Sequence, residues 1–147
     1  MKSEPFVIER TYNAPIEKVW QAITDKQAMK QWYFDLKEFK PEVGFEFQFE
    51  GGPDDKTYLH FCKVTEVVSG RKLTYSWRYD GYEGNSFVTW ELFPEGHKTR
   101  LKLTHAGLET FPPSNPDLDK KNFVAGWTDI VGESLKKFLE EPVNTEV

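Results

Sequence analysis

Three histidines are the residues of this chain best suited to acid–base or metal chemistry. His105 closes a predicted strand on the side shared with two leucines. There it can act as an acid, a base or a ligand donor, or serve as a structural histidine bonded to loop backbone near Ala106-Gly107. His60 leaves the same alternatives open. No histidine has a partner at metal-ligand spacing, so we predict neither a metal nor a cofactor.

The remaining reactive side chains give no complete catalytic set. Cys62 is the only cysteine, which excludes an internal disulfide and favours a cytoplasmic location and a buried, structural thiol. Arg10 interrupts an apolar strand face, so it either points outward or needs a partner such as Glu66 or a bound anion. Because no Ser/His/Asp order or nucleophile elbow is visible, we assign no catalytic residue.

Aromatic residues, 16% of the chain, supply the other candidate site. They can enclose a hydrophobic or aromatic ligand, with tyrosine hydroxyls as polar groups, or they can form a dry core. The residues predicted to bind a ligand are Tyr58, Tyr75, Trp77, Tyr79, Trp90, His105, Phe123 and Trp127.

A long amphipathic helix, predicted from Leu118 to Glu140, must carry part of this lining. Its apolar residues recur at steps of three and four and therefore form one stripe. The stripe consists of Phe123, Trp127, Ile130, Val131, Leu135 and Phe138. Gly126 predicts close approach by a neighbouring element, because glycine is costly inside a helix.

Alternating apolar residues predict the strands that face this helix. Two short helices follow the first strand, one starting near Asn13-Ala14-Pro15 and one capped by Thr24-Asp25. The predicted strands are Phe6 to Tyr12, a hairpin from Glu38 to Glu50 turning at Pro41-Glu42-Val43-Gly44, Tyr58 to Val68, Lys72 to Tyr79, Phe87 to Phe93, and Thr99 to His105.

This order predicts an α+β fold in one domain spanning residues 1–147. A curved antiparallel sheet of about six to seven strands wraps around the long C-terminal helix and leaves a hollow between them. The formal net charge of -5 argues against nucleic-acid binding. No apolar run approaches the ~20 residues needed for membrane insertion. Whether the chain is a monomer or a homodimer stays open.

Several stretches, in this order along the chain, resemble the START/Bet v 1-like (SRPBCC) superfamily, in the branch of the activator of Hsp90 ATPase. They are Ala14 to Trp20 with Ala22 to Asp25, Pro41 to Phe47, Val64 to Val67, Leu73 to Trp77, Thr99 to His105, and Gly126-Trp127. The resemblance implies a helix-grip fold, in which the sheet wraps the C-terminal helix around a cavity. Members include lipid and hormone carriers, cyclases and co-chaperone domains, so site chemistry must decide the function.

Three functions follow as hypotheses. The first is a module that holds a small hydrophobic or aromatic molecule between sheet and helix. The second, implied by the resemblance alone, is a stress-response domain with an Hsp90-type chaperone partner. The third is a small cyclase- or hydrolase-like enzyme that uses His105, Glu66 or a tyrosine of the lining.

Overall fold

Six strands form one antiparallel sheet in a computed structural model that describes residues 5–32, 38–51, 58–112, 114–115, 118 and 120–140. The order across the sheet is β1-β6-β5-β4-β3-β2. The strands are β1 (Phe6–Tyr12), β2 (Glu46–Gly51), β3 (Tyr58–Val68), β4 (Lys72–Tyr79), β5 (Ser86–Glu95) and β6 (Lys98–Ala106). The predicted α+β helix-grip architecture is confirmed, with six strands in the described residues.

Alternation along each strand explains which side of the sheet is buried. In β4, Leu73, Tyr75, Trp77 and Tyr79 all point inward and are buried. In β6 the inward residues Leu101, Leu103 and His105 are fully buried. Successive side chains of a strand point to opposite faces, so these sets form one apolar inner face.

Two short helices, α1 (Ile16–Thr24) and α2 (Lys26–Trp32), connect β1 to the rest of the sheet. Asp25 caps α2 as predicted, because its Oδ2 accepts a hydrogen bond from the backbone N–H of Ala28 at 3.0 Å. At the other end of α2, the Trp32 indole N–H donates to the carbonyl of Ala22 at 2.9 Å. The two helices are thereby joined by a buried hydrogen bond.

The C-terminal helix contains a π-helical segment that the sequence pattern does not reveal. It consists of α3 (Lys120–Asp129), the π-helical residues Ile130–Ser134, and α4 (Leu135–Glu140). Its buried residues lie four apart: Phe123, Trp127, Val131, Leu135 and Leu139. Such steps drift by about 40° each on an α-helix. A π-helical turn holds more residues and offsets this drift.

Three predictions about elements need correction. Leu139 replaces Phe138 in the buried stripe, because the π-helical segment rotates the last turns, and Ile130 is also only half-buried. The predicted hairpin from 38 to 50 is only partly present. Its turn forms, since the Phe45 backbone N–H donates to the Glu42 carbonyl at 3.0 Å, and its second strand is β2, but residues 38–41 form no strand. The predicted close approach at Gly126 is also wrong, since no atom of another described element lies within 4 Å of where its Cβ would be.

The end of the C-terminal helix is tied to the beginning of the chain. The backbone N–H of Asn13 donates to Oε2 of Glu140 at 2.7 Å, and the Lys18 ammonium donates to the carbonyl of Leu139 at 3.1 Å. A cation on a helix's last carbonyls also interacts favourably with its dipole. The helix is therefore fixed on α1 and β1 as well as on the sheet.

The π-helical segment is held by a buried tyrosine of β1. The Tyr12 hydroxyl donates to the carbonyl of Val131 at 2.6 Å, and Tyr12 is fully buried. Burial raises the pKa of Tyr12, so the hydroxyl stays protonated and keeps donating.

We expect Tyr12→Phe to lower the free energy of unfolding by about 1–3 kcal/mol, because a buried carbonyl loses its partner. Urea unfolding followed by tryptophan fluorescence measures the change. The control is Tyr82→Phe at an exposed ring, for which we expect a change within about 0.5 kcal/mol. Equal effects of the two substitutions would contradict the role given to Tyr12.

Candidate functional site

Six rings between the sheet and the C-terminal helix contact one another in a closed circuit. In order they are Trp77, His60, Tyr79, Phe111, Phe123 and His105, and we call this set the aromatic circuit. Successive ring centroids lie 5.0, 4.6, 5.3, 5.9 and 5.2 Å apart, and His105 returns to Trp77 at 5.4 Å. Most of these pairs are edge-on, the arrangement that aromatic quadrupoles favour.

His105 is the centre of a buried chain of hydrogen bonds. The Trp127 indole N–H donates to His105 Nδ1 at 2.9 Å, so Nδ1 carries no proton. The proton is then on Nε2, which donates to Ser86 Oγ at 2.8 Å. The Ser86 hydroxyl in turn donates to the carbonyl of Trp77 at 2.8 Å. This chain links the C-terminal helix to β6, β5 and β4 and occupies both ring nitrogens of His105.

Both buried histidines are neutral at physiological pH. Burial lowers the pKa of His105 to about 3 and that of His60 to about 4. For His60 the hydrogen bond from Nδ1 to the carbonyl of Tyr58, at 3.0 Å, acts in the opposite direction. The aromatic circuit therefore carries no charge.

Two tryptophan–tyrosine hydrogen bonds place hydroxyl groups on this inner face. The Trp77 indole N–H donates to the Tyr79 hydroxyl oxygen at 2.9 Å, and the Trp90 indole N–H donates to that of Tyr75 at 3.0 Å. Burial raises the pKa of Tyr79, so its hydroxyl remains protonated. The pairs come from β4 and β5, where inward positions alternate with outward ones.

The structure brings all eight residues that the sequence analysis selected onto one network of contacts. Tyr58 is half-buried and packs on Tyr79, with 5.8 Å between ring centroids. Trp127 contacts Trp77 and Trp90 at 5.6 and 5.7 Å. The seven buried members are Tyr75, Trp77, Tyr79, Trp90, His105, Phe123 and Trp127.

His105 does not lie at the mouth of a hollow, as one alternative required, because it is fully buried. Its partners are also not the loop backbone near Ala106-Gly107, which the structural alternative proposed. Its ring nitrogens bond to side chains of Trp127 and Ser86 instead. Two residues from distant parts of the chain thus replace the predicted local partner.

Some residues of the network were not selected from the sequence. The sequence leaves His60 between two alternatives and predicts nothing for Ser86 or Phe111. Ser86 occupies the inward register two residues before Val88, so strand alternation is the signal that could have identified it. Phe111 follows a short 3₁₀ turn at Leu108–Thr110, and no sequence pattern marks its inward position.

The charged candidates lie away from the aromatic circuit. Glu66 pairs with Lys72 at 3.2 Å on the surface, so the proposed pairing of Glu66 with Arg10 is wrong. Arg10 is exposed and donates to the neighbouring Glu9 carbonyl at 2.7 Å. Cys62 is buried, and burial raises the pKa of its thiol. Among the described residues, no three His, Cys, Asp or Glu side chains are grouped to hold a metal ion.

Two hollows are present on the described surface, and both lie away from the space between the sheet and the C-terminal helix. One, of about 1020 Å³, is open and lies on the outer face of β2, β3 and β4, where its lining includes Glu46, Gln48, Lys63 and Arg78. The other, of about 290 Å³, lies between α1, α2 and Phe138. Neither is the predicted hollow between the sheet and the C-terminal helix, where the rings of the aromatic circuit contact one another.

Solved structures share this architecture. CalU16 from Micromonospora echinospora is 26% identical over 93% of this chain and 76% of its own, with a TM-score of 0.70. BH1534 from Bacillus halodurans is 26% identical over 95% of this chain and 99% of its own, with a TM-score of 0.74. DynU16, a protein of the dynemicin biosynthetic locus, is 24% identical, with a TM-score of 0.77. The match covers 95% of this chain but only 48% of DynU16.

Two further comparisons bear on identity. No curated protein matches the chain. No helix in the described part of the chain is long and apolar enough to cross a membrane.

The family model described as "Activator of Hsp90 ATPase homolog 1-like protein" matches residues 13–140. This match and the neighbouring folds support a ligand-binding domain in general. The chain therefore belongs to the activator of Hsp90 ATPase homolog 1-like family, a branch of the START/Bet v 1-like superfamily.

Proposed function

We propose that the protein binds a small, uncharged hydrophobic or aromatic molecule between the sheet and the C-terminal helix, among the rings of the aromatic circuit. The circuit is the observation that carries the proposal. It combines flat apolar surfaces with a few polar atoms, the composition typical of small-molecule sites. Family membership supports ligand binding in general and does not specify the ligand.

The electrostatics of the circuit favour an uncharged ligand. His60 and His105 are neutral, and the Tyr79 hydroxyl stays protonated. A charged ligand would be buried there without a counter-charge among these groups, and burying an unpaired charge is costly. Apolar and aromatic surface would instead gain from leaving water.

A ligand can enter only if some of the contacting rings move apart. The more exposed side chains of the network can move most easily. Tyr58 is half-buried and packs against Tyr82, which is exposed, with ring centroids 5.5 Å apart. Phe123, in the first turns of α3, is the most exposed of the circuit's aromatic residues at 8%. Rotation of the Tyr58 and Phe123 side chains would open the circuit without moving the hydrogen-bonded chain at His105.

Titration with N-phenyl-1-naphthylamine, an uncharged fluorescent probe, tests the proposal. We expect saturable binding with enhanced probe emission, a higher melting temperature, and weaker binding of the charged relative 1-anilinonaphthalene-8-sulfonate. Two variants locate the probe, because each adds an indole to one candidate site. Phe123→Trp narrows the aromatic circuit, and Gln48→Trp fills the hollow on the outer face.

We expect Phe123→Trp to weaken probe binding by roughly three- to tenfold, the effect of losing about 1 kcal/mol of ring contacts. Gln48→Trp should leave the affinity unchanged. The reverse result would place the probe in the outer hollow, and an absence of saturable binding to the wild-type protein would reject the function itself. Near-ultraviolet circular dichroism checks that both variants keep the native fold.

A chaperone partner is the second candidate, favoured by the family description, which names an Hsp90 ATPase activator. A stress-response role would follow from such a contact. The test is the ATPase rate of a purified Hsp90-type chaperone with increasing amounts of this protein. A saturable rise in rate supports the contact, and an unchanged rate at saturating concentration, with no complex by calorimetry, rejects it.

Of the three functional hypotheses, the enzyme hypothesis receives the least support from the positions of its candidate residues. His105 has both nitrogens in hydrogen bonds, so it offers no lone pair to a substrate. Glu66 is on the surface, paired with Lys72. Of the groups that the hypothesis named, only a tyrosine hydroxyl of the lining remains.

A further inference from the structure

The hydroxyl proton of Tyr79 makes no hydrogen bond within the described part of the chain. Its oxygen accepts the hydrogen bond from the Trp77 indole, and Tyr79 is only 5% exposed. Among the described residues, no acceptor lies within hydrogen-bond distance of this hydroxyl as a donor. A buried hydroxyl normally satisfies its proton, and leaving it unpaired is costly.

The position of this proton is restricted by its neighbours. An indole N–H can only donate, so Trp77 occupies the acceptor side of the Tyr79 oxygen and leaves the proton on another side. The Tyr79 ring contacts His60 and Phe111, with centroids 4.6 and 5.3 Å away, so the ring that carries this hydroxyl is part of the aromatic circuit. A molecule held among these rings would find the Tyr79 hydroxyl available as a donor.

We propose that Tyr79 determines ligand specificity by donating a hydrogen bond to an acceptor oxygen or nitrogen of the bound molecule, such as the carbonyl group of an aromatic ketone. This inference rests on the proposed function, because it needs a ligand inside the circuit. It narrows the ligand class from any uncharged hydrophobic molecule to one with an acceptor on its ring system. A site with an unsatisfied donor discriminates against analogues that lack the acceptor.

The test compares 9-fluorenone with fluorene, which share a tricyclic shape and differ in the carbonyl group. Each is titrated against the wild-type protein in competition with N-phenyl-1-naphthylamine. We expect fluorenone to bind about three- to tenfold more tightly, the range of one neutral hydrogen bond. In Tyr79→Phe this preference should disappear.

Tyr75→Phe is the matched control. Tyr75 lies on the same strand and face and also accepts an indole N–H, so its substitution removes a comparable hydrogen bond from the core. Both variants can lose stability or change overall affinity, and for this reason the ratio of the two affinities is the readout. The ratio should remain at its wild-type value in Tyr75→Phe.

The outcomes separate this inference from the function on which it rests. If the wild-type protein binds fluorene as well as fluorenone, or if Tyr79→Phe keeps the preference, Tyr79 is not the donor and the binding function stands. The same holds if the preference is lost in Tyr75→Phe alone. If neither tricyclic molecule nor the fluorescent probe binds, both proposals are rejected.

Discussion

Trp127→Ala is expected to lower the free energy of unfolding by about 3–5 kcal/mol, one of the two largest effects that we predict. Trp127 is 3% exposed and packs on Trp77 and Trp90, so its removal leaves a cavity between helix and sheet. It also leaves Nδ1 of His105 without a donor. Urea unfolding, monitored by circular dichroism so that the lost indole does not affect the signal, measures the change.

Trp127→Phe separates packing from hydrogen bonding in this prediction. The phenyl ring retains much of the apolar contact and lacks the N–H, so we expect a smaller loss of about 1–3 kcal/mol. A loss below 1 kcal/mol for Trp127→Ala would mean that the helix does not bury this face. That result would also remove the basis of the proposed binding site.

Lowering the pH is expected to reduce the free energy of unfolding already at pH values well above those at which carboxylates titrate. His60 and His105 have pKa values of about 4 and 3 in the folded state, against about 6.5 when unfolded. Their stabilising contribution is complete above pH 6.5, because both states are then neutral. It is lost as the pH falls from 6.5 towards the folded-state values, since only the unfolded chain binds protons in that range.

Between pH 7.5 and pH 5 each buried histidine should remove about 2 kcal/mol of stability. Urea unfolding at half-unit pH intervals measures this loss. His105→Gln keeps an acceptor for Trp127 and a donor for Ser86 but does not titrate, so it should remove about half of the pH dependence. The double variant His60→Gln/His105→Gln should remove most of it. An unchanged slope in His105→Gln would show that His105 is not buried neutral.

The strands were predictable because alternation is a local property. β3 and β4 have the predicted limits, Tyr58–Val68 and Lys72–Tyr79, and their inward aromatic residues are those that the period of two selects. The segment before the turn at Pro41 to Gly44 was predicted as the first strand of a hairpin, but residues 38–41 form no strand, while Gly44 and Phe45 bond to Val64 of β3. Hydrogen bonding between strands is a tertiary property, which the pattern of one segment does not contain.

The chain of hydrogen bonds at His105 shows where sequence reasoning about the site ends. The inward direction of His105 followed from its place in β6, and Trp127 followed from the helical stripe. Their contact depends on how the helix lies across the sheet, which neither the strand alternation nor the helical stripe specifies. The sequence therefore predicts which residues line the site, but it does not predict which of their atoms form hydrogen bonds with one another.

The attachment of the last helical turn to Asn13 and Lys18 has a consequence for biosynthesis. Residues 120–140 leave the ribosome after every strand of the sheet, so the apolar inner face of a nascent chain stays uncovered until they emerge. β1 must also wait for β6, about ninety residues later, before it can pair. Such late closure exposes aggregation-prone surface during translation. A premature stop before residue 120 would thus yield a sheet with an exposed apolar face that is prone to aggregation. The first helix would also lack the contact of Lys18 with the C-terminal helix.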